Sequence, residues 1–110
     1  MTERAQVRME RRDDTTVVIG IGELDLYIGR EFGRTLADAV KSGQPVTVDL
    51  LSAIFIDSAI LQAVGVYGKR LMDRGDRMSV LVKKKGQPGY VLGVVGFAAI
   101  MDVIACDDSD

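Results

Sequence analysis

Histidine is absent from this 110-residue sequence, and cysteine occurs only once, as Cys106. Histidine is the side chain that proteins use most often for acid–base catalysis and for binding metal ions. Its absence excludes a Ser-His-Asp triad and makes a zinc site difficult to build. A single cysteine excludes a disulfide within the chain and fits a reducing compartment such as the cytosol. We therefore expect a protein that is not an enzyme and that holds no metal and no cofactor.

The sequence also lacks a long apolar run and a strong excess of charge of either sign. No uncharged apolar stretch reaches the roughly 20 residues that a membrane-spanning helix needs, and residues 1–14 contain no apolar signal-peptide core. The 14 basic and 16 acidic side chains give a net charge of −2, whereas a nucleic-acid-binding domain normally carries a basic face. We predict a cytoplasmic protein with no nucleic-acid partner and no membrane partner.

Apolar periodicity predicts a single domain over residues 1–110, with a frayed polar tail at about residues 107–110. The charged turn RRDD separates two strand-like segments and predicts a hairpin, after which helices alternate with strands. Gly43 and Gly75 are placed to end the first two helices. The predicted strands are residues 5–10, 15–21, 46–50 with a continuation at 53–56, and 78–82; the predicted helices are 28–42, 58–74 and 88–95; residues 97–105 fit either a further turn or a last edge strand.

Three segments resemble one known family. GELDLY at residues 22–27 is similar to the loop that leads into the family's first helix. VTVDLLSAIFIDSA at 46–59 is similar to its buried strand and Asp-Ser turn, and RGDRMSVLV at 74–82 to its link into the fourth strand. Over roughly residues 5–105, the chain thus resembles the STAS domains of bacterial anti-sigma-factor antagonists, or anti-anti-sigma factors. The resemblance implies an α/β fold with a mixed four- to five-stranded β-sheet and helices packed on it.

The resemblance further implies a switch at Ser58. In the family, a partner anti-sigma factor that is itself a serine kinase phosphorylates this serine. The unphosphorylated antagonist binds that kinase and frees a sigma factor for transcription, and the phosphorylated antagonist lets go. Asp57 would cap the second helix, and a phosphate on Ser58 would add a charge of about −1.5 to −2 beside it. The residues expected to contact the partner are Glu23, Asp25, Ala59, Ile60, Ala63 and Tyr67.

Ile60 departs from the family pattern, which usually has glycine two residues after the phosphorylated serine. We predict that the second helix buries a stripe of small and apolar residues and that Ile60 lies off this stripe. Its side chain is therefore expected at the exposed centre of the interface, although packing under a neighbouring loop fits the pattern nearly as well. The predicted inward stripe is Leu61, Val64, Gly65, Gly68, Leu71 and Met72.

The sequence leaves other interpretations open. From the Asp57-Ser58 pair alone, a plain helix cap is the favoured interpretation, and only the resemblance puts a phosphorylated serine ahead of it. Ile60 in place of glycine would also suit a scaffold domain that self-associates, for example as a homodimer. A third hypothesis is a domain that senses an anion or a nucleotide near Gly22 and Ser58.

Overall fold

The computed structural model of the protein describes residues 4–107. Within these residues the chain forms one five-stranded sheet, three α-helices and one turn of 3-10 helix. In chain order the elements are β1 (Gln6–Arg12), β2 (Thr15–Leu24), α1 (Leu26–Lys41), β3 (Val46–Ile56), α2 (Ser58–Asp73), β4 (Ser79–Lys83), α3 (Gln87–Val94), the 3-10 turn (Phe97–Ala99) and β5 (Asp102–Cys106).

The strands lie side by side in the order β1-β2-β3-β4-β5. β1 and β2 are antiparallel, and the other neighbouring pairs are parallel. The hairpin turns at Asp13, whose φ of 52° is the left-handed conformation common in tight hairpin turns and better tolerated by aspartate than by most residues. The predicted α/β fold with a mixed sheet is therefore confirmed, including its initial hairpin.

A single apolar core lies between the sheet and the helices. Val18, Val48 and Val80 point to the same side of three adjacent strands, because Val18 pairs with Val48 and Val48 pairs with Val80. All three are fully buried, and burying a side chain of this kind contributes about 1.5–3 kcal/mol. The helices cover this side and complete the core with Phe32, Leu36, Ile60, Val64, Leu71 and Leu92.

β2 and β3 are both longer than the sequence predicted. β2 continues to Leu24 instead of stopping near residue 21, and β3 is one continuous strand from residue 46 to residue 56. The pairing between them shifts register between Ile19 and Ile21 and again between Gly22 and Glu23, so that irregularities absorb the mismatch without ending the strands. As a result, β2 and β3 end together at one edge of the sheet, namely the edge formed by the carboxyl ends of its parallel strands.

The last part of the chain contains both of the structures that residues 97–105 allowed. A 3-10 turn is followed by β5, in which Val103 pairs with Val80 of β4. Residues 108–110, which form most of the predicted frayed tail, lie outside the described residues. Across residues 4–107, every helix is too short or too polar to cross a membrane.

Candidate functional site

Ser58 is the first residue of α2, and Asp57 joins that helix to the end of β3. Asp57 has an extended backbone, and its side-chain Oδ1 accepts a hydrogen bond from the backbone N–H of Ala59 at 2.8 Å. Its carbonyl oxygen accepts a further bond from the N–H of Ile60 at 3.1 Å. Asp57 is thus the N-cap of α2, and Ser58 lies exposed in the first turn of the helix.

The N-termini of α1 and α2 lie at the same edge of the sheet. Leu24 at the end of β2 pairs with Ile56 at the end of β3, and the N–H of Asp57 donates to the carbonyl oxygen of Leu24 at 3.1 Å. Asp25 follows as the N-cap of α1, and its Oδ1 accepts from the N–H of Tyr27 at 3.0 Å. Helix N-termini carry partial positive charge, so this edge combines two aspartate caps with two sites that favour anions.

Gly29 and Ala59 bring the two helices into close contact. A Cβ atom added at Gly29 would lie 2.9 Å from the Cβ of Ala59, which is closer than two such atoms can approach without a shift of a helix. Glycine at this position therefore lets the first turns of α1 and α2 pack side by side. The exposed start of α1 is consequently held next to Ser58.

The residues predicted to contact a partner divide by exposure. Glu23 and Asp25 are exposed and lie at the same edge of the sheet as Ser58. Three of the four on α2 are half-buried, because they pack against α1 or the core. The half-buried residues are Ala59, Ala63 and Tyr67, the last of which has the guanidinium of Arg70 5.0 Å from its ring centroid.

The expected exposure of Ile60 is wrong, because its side chain is 0% exposed and belongs to the core. The helix is rotated relative to the prediction because it packs on three sides: against the sheet, against α1 and against the segment after α3. Gly65 faces the ring of Phe97 in that segment, and an added Cβ would lie 2.9 Å from it. Periodicity alone cannot tell which of several apolar faces meets the sheet. The buried stripe of α2 is Ile60, Val64, Gly68 and Leu71.

Several exposed apolar residues of α1 and α2 were not predicted from the sequence. Leu26 and Tyr27 in the first turn of α1 are 69% and 93% exposed, and Val66 of α2 is 42% exposed. If the inward stripe of α2 begins at Ile60, residues 58, 62 and 66 lie on its outward face. The correct inward stripe would therefore have predicted the exposure of Val66. For Leu26 and Tyr27 the periodicity gave no signal.

Gln87, the first residue of α3, was also missed. Its side-chain Oε1 accepts a hydrogen bond from the N–H of Ile56 at 2.9 Å, and its Nε2 donates to the carbonyl oxygen of the same residue at 3.0 Å. The two residues are 31 positions apart in the chain, and no local pattern connects them. Gln87 therefore holds the residue that immediately precedes the Asp57-Ser58 turn.

The candidate site is a surface. In the part of the chain that the structure describes, no pocket is found, and no three acidic or cysteine side chains come close enough together to hold a metal ion. What this edge presents is an exposed hydroxyl, acidic side chains and two exposed apolar residues at the start of α1. Such a surface can receive a covalent modification or contact another protein.

No protein-family model matches the chain, and no curated protein matches it in sequence. Solved structures do match. An anti-sigma factor antagonist from Mycobacterium paratuberculosis superposes with a TM-score of 0.81 at 16% identity, over 94% of this chain and 87% of that one. The anti-sigma factor antagonist SpoIIAA in its unphosphorylated form gives 0.68 at 20% identity, over 94% of this chain and 89% of that one.

SpoIIAA, described as a Bacillus cell fate determinant, has also been solved in its phosphorylated form. That structure gives a TM-score of 0.65 at 21% identity, over 97% of this chain and 93% of that one. At these identities the likeness establishes the fold. The chain has the fold of the anti-sigma factor antagonists, as its three resembling segments implied.

Proposed function

We propose that this chain is an anti-sigma-factor antagonist that binds an anti-sigma factor while Ser58 is unphosphorylated and releases it once Ser58 carries a phosphate. The observation that carries the proposal is the place of Ser58, exposed at the start of α2 in a fold shared with SpoIIAA, a protein solved in both phosphorylation states. The proposed partner is a serine kinase as well as an anti-sigma factor. Its capture in the bacterial cytoplasm frees a sigma factor for transcription.

The exposure of Ser58 supports its role as the phosphate acceptor. A kinase must bring the acceptor hydroxyl into line with the γ-phosphoryl group of ATP, which requires a side chain that reaches into the kinase cleft. In the transfer, the Oγ of Ser58 forms the new bond to phosphorus, the bond to ADP breaks, and the hydroxyl proton passes to a base of the kinase. The kinase supplies all the catalytic groups, so this chain is a substrate and a binding partner.

Charge explains how the phosphate would end binding. It adds about −1.5 to −2 to an edge that already holds Asp57, Asp25 and Glu23. In the free protein, the N-terminus of α2 tolerates that charge, so the fold is kept. In the complex, like charges brought together cost several kcal/mol, and about 3 kcal/mol corresponds to about a 100-fold loss of affinity.

The exposed residues around Ser58 define the proposed contact surface. Gln62 and Val66 continue the outward face of α2, and Leu26 and Tyr27 project from the start of α1. Tyrosine is common among the residues that dominate binding energies, and Tyr27 is 93% exposed. Ile60 is not part of this surface because its side chain is in the core, so the isoleucine that replaces the family's glycine adds no apolar group to it.

Phosphate transfer tests the proposal. A pulldown with the unphosphorylated protein identifies the anti-sigma factor, which is then incubated with the protein and ATP and followed by intact-mass spectrometry. We expect one added phosphate, its loss in Ser58→Ala, and its retention in Ser52→Ala, a matched control because Ser52 is also exposed. Lack of transfer to the unmodified protein, or transfer that persists in Ser58→Ala, would contradict the proposal.

Binding measurements test the electrostatic part of the proposal. Ser58→Asp adds one negative charge and should weaken binding of the anti-sigma factor by about tenfold, whereas Ser58→Asn adds a side chain of similar size without charge. Equal affinities of the two variants would show that charge at this turn does not control binding. Self-association as a homodimer stays a prediction, and so does sensing of an anion or nucleotide, for which residues 4–107 form no pocket.

A further inference from the structure

We propose that Gln87 is a positioning residue that fixes the Ser58 turn to α3, so that phosphorylation of Ser58 depends on a side chain far away in the sequence. The inference rests on the proposed function, because it concerns the same serine. Its basis is the pair of hydrogen bonds, 2.9 and 3.0 Å long, that join the Gln87 amide to both backbone groups of Ile56.

The Gln87 side chain bonds to the end of β3 on the side where no neighbouring strand pairs with it. The pairing of β3 with β4 ends at Asp49 and Leu81, but β3 continues to Ile56. In a parallel strand, the N–H and C=O of one residue point to one neighbour and those of the next residue to the other. The N–H of Asp57 bonds to Leu24 of β2, and both backbone groups of Ile56 bond to the Gln87 amide on the opposite side.

Both ends of this connection are anchored. Gln87 precedes Pro88, which is buried at the start of α3, and an added Cβ at Gly89 would lie 2.8 Å from the carbonyl oxygen of Lys83, so the first turn of α3 packs tightly on the end of β4. At the other end, the side chains of Ile56 and Ile60 are both in the core. The Asp57-Ser58 turn between them is therefore held by β2, by the core and by Gln87.

Loss of the Gln87 bonds should loosen the turn without unfolding the sheet. The two backbone groups of Ile56 would have no other neighbouring strand on that side to replace them. Phosphoryl transfer depends steeply on the placement of the acceptor oxygen, and a displacement of about 1 Å can slow such a reaction about 100-fold. A turn that samples several positions is thus a poorer substrate even if its serine is as exposed as before.

Hydrogen exchange on the full chain tests the connection itself. Gln87→Met keeps the length and approximate volume of the side chain but removes the amide, and Gln6→Met makes the same change at an exposed position of β1. We expect the N–H of Ile56 to exchange at least about tenfold faster in Gln87→Met, with Val48 in the sheet centre unaffected, and no change in Gln6→Met. Unchanged exchange at Ile56, or equal acceleration at Val48, would overturn the inference.

The rate of phosphate transfer tests the positioning role. With the anti-sigma factor identified by pulldown, we expect kcat for Ser58 to fall about tenfold or more in Gln87→Met relative to Gln6→Met, with KM changed less. An unaltered rate combined with faster exchange at Ile56 would overturn the positioning role while the proposed function stands. Absence of transfer to the unmodified chain would overturn both.

Discussion

Replacing Ile60 with alanine gives a direct measure of where its side chain lies. The side chain is 0% exposed and packs within the core between α2 and the sheet. Truncation of a buried isoleucine to alanine costs about 2–5 kcal/mol, and the better helix propensity of alanine returns at most about 0.5 kcal/mol. We therefore expect a net loss of about 1.5–5 kcal/mol, a large part of the roughly 5–15 kcal/mol typical of a domain's total stability.

Urea unfolding followed by circular dichroism measures this loss, provided that the slope of the unfolding free energy against urea concentration is the same in both proteins. Val66→Ala is the matched control, because Val66 lies on the same helix but is 42% exposed, and we expect it to cost less than about 1 kcal/mol. Ile60→Gly, which introduces the family's usual residue, should be worse than alanine by about 1 kcal/mol. A cost for Ile60→Ala no larger than that for Val66→Ala would refute the buried position.

Two further predictions concern the cap of α2 and the glycines of α1. Asp57→Ala removes the acceptor for the N–H of Ala59 and should cost about 1 kcal/mol in urea unfolding, whereas Asp57→Ser should restore most of it; equal losses would mean that the cap is not formed. Apart from the backbone of its own helix, a Cβ added at Gly33 would have no atom within 4 Å. Gly33→Ala should therefore raise the free energy of unfolding by up to about 1 kcal/mol, or the melting temperature by about 4 °C. Gly29→Ala makes the same substitution where the added Cβ would meet Ala59. It should lower the melting temperature, because overpacking costs about 1–3 kcal/mol. A higher melting temperature in both variants would argue against the close contact of α1 and α2.

The elements that the sequence predicted correctly depend on local physics. The RRDD turn and the β-branched segment after it are enough to specify a hairpin, because both strands and their turn are adjacent in the chain. Gly43 and Gly75 were correctly predicted as helix stops; their φ values of 81° and 91° are left-handed conformations that favour glycine. These signals need no knowledge of the rest of the fold.

The features that the sequence did not reveal depend on contacts between distant segments. Ile60 and Leu61 are adjacent apolar residues, so the sequence does not show which of them points inward. Packing of α2 against the sheet, α1 and the segment around Phe97 determines that it is Ile60. Gln87 looks like an ordinary loop residue until the fold places it beside Ile56. A serine and its helix cap can thus be found from the sequence, whereas the contacts that hold them in place require the structure.

The way in which the Ser58 turn is held bears on how the proposed switch works. Ile56 and Ile60 anchor the turn in the core on either side of Asp57 and Ser58, so a phosphate there should change the charge of the surface more than its shape. Electrostatic repulsion between exposed groups is screened by salt, with a Debye length of about 8 Å at physiological ionic strength and about 3 Å at 1 M. The affinities of Ser58→Asn and Ser58→Asp for the anti-sigma factor should therefore become more similar as the salt concentration is raised. A ratio independent of salt would instead indicate that the charged residue disrupts binding by displacing the turn.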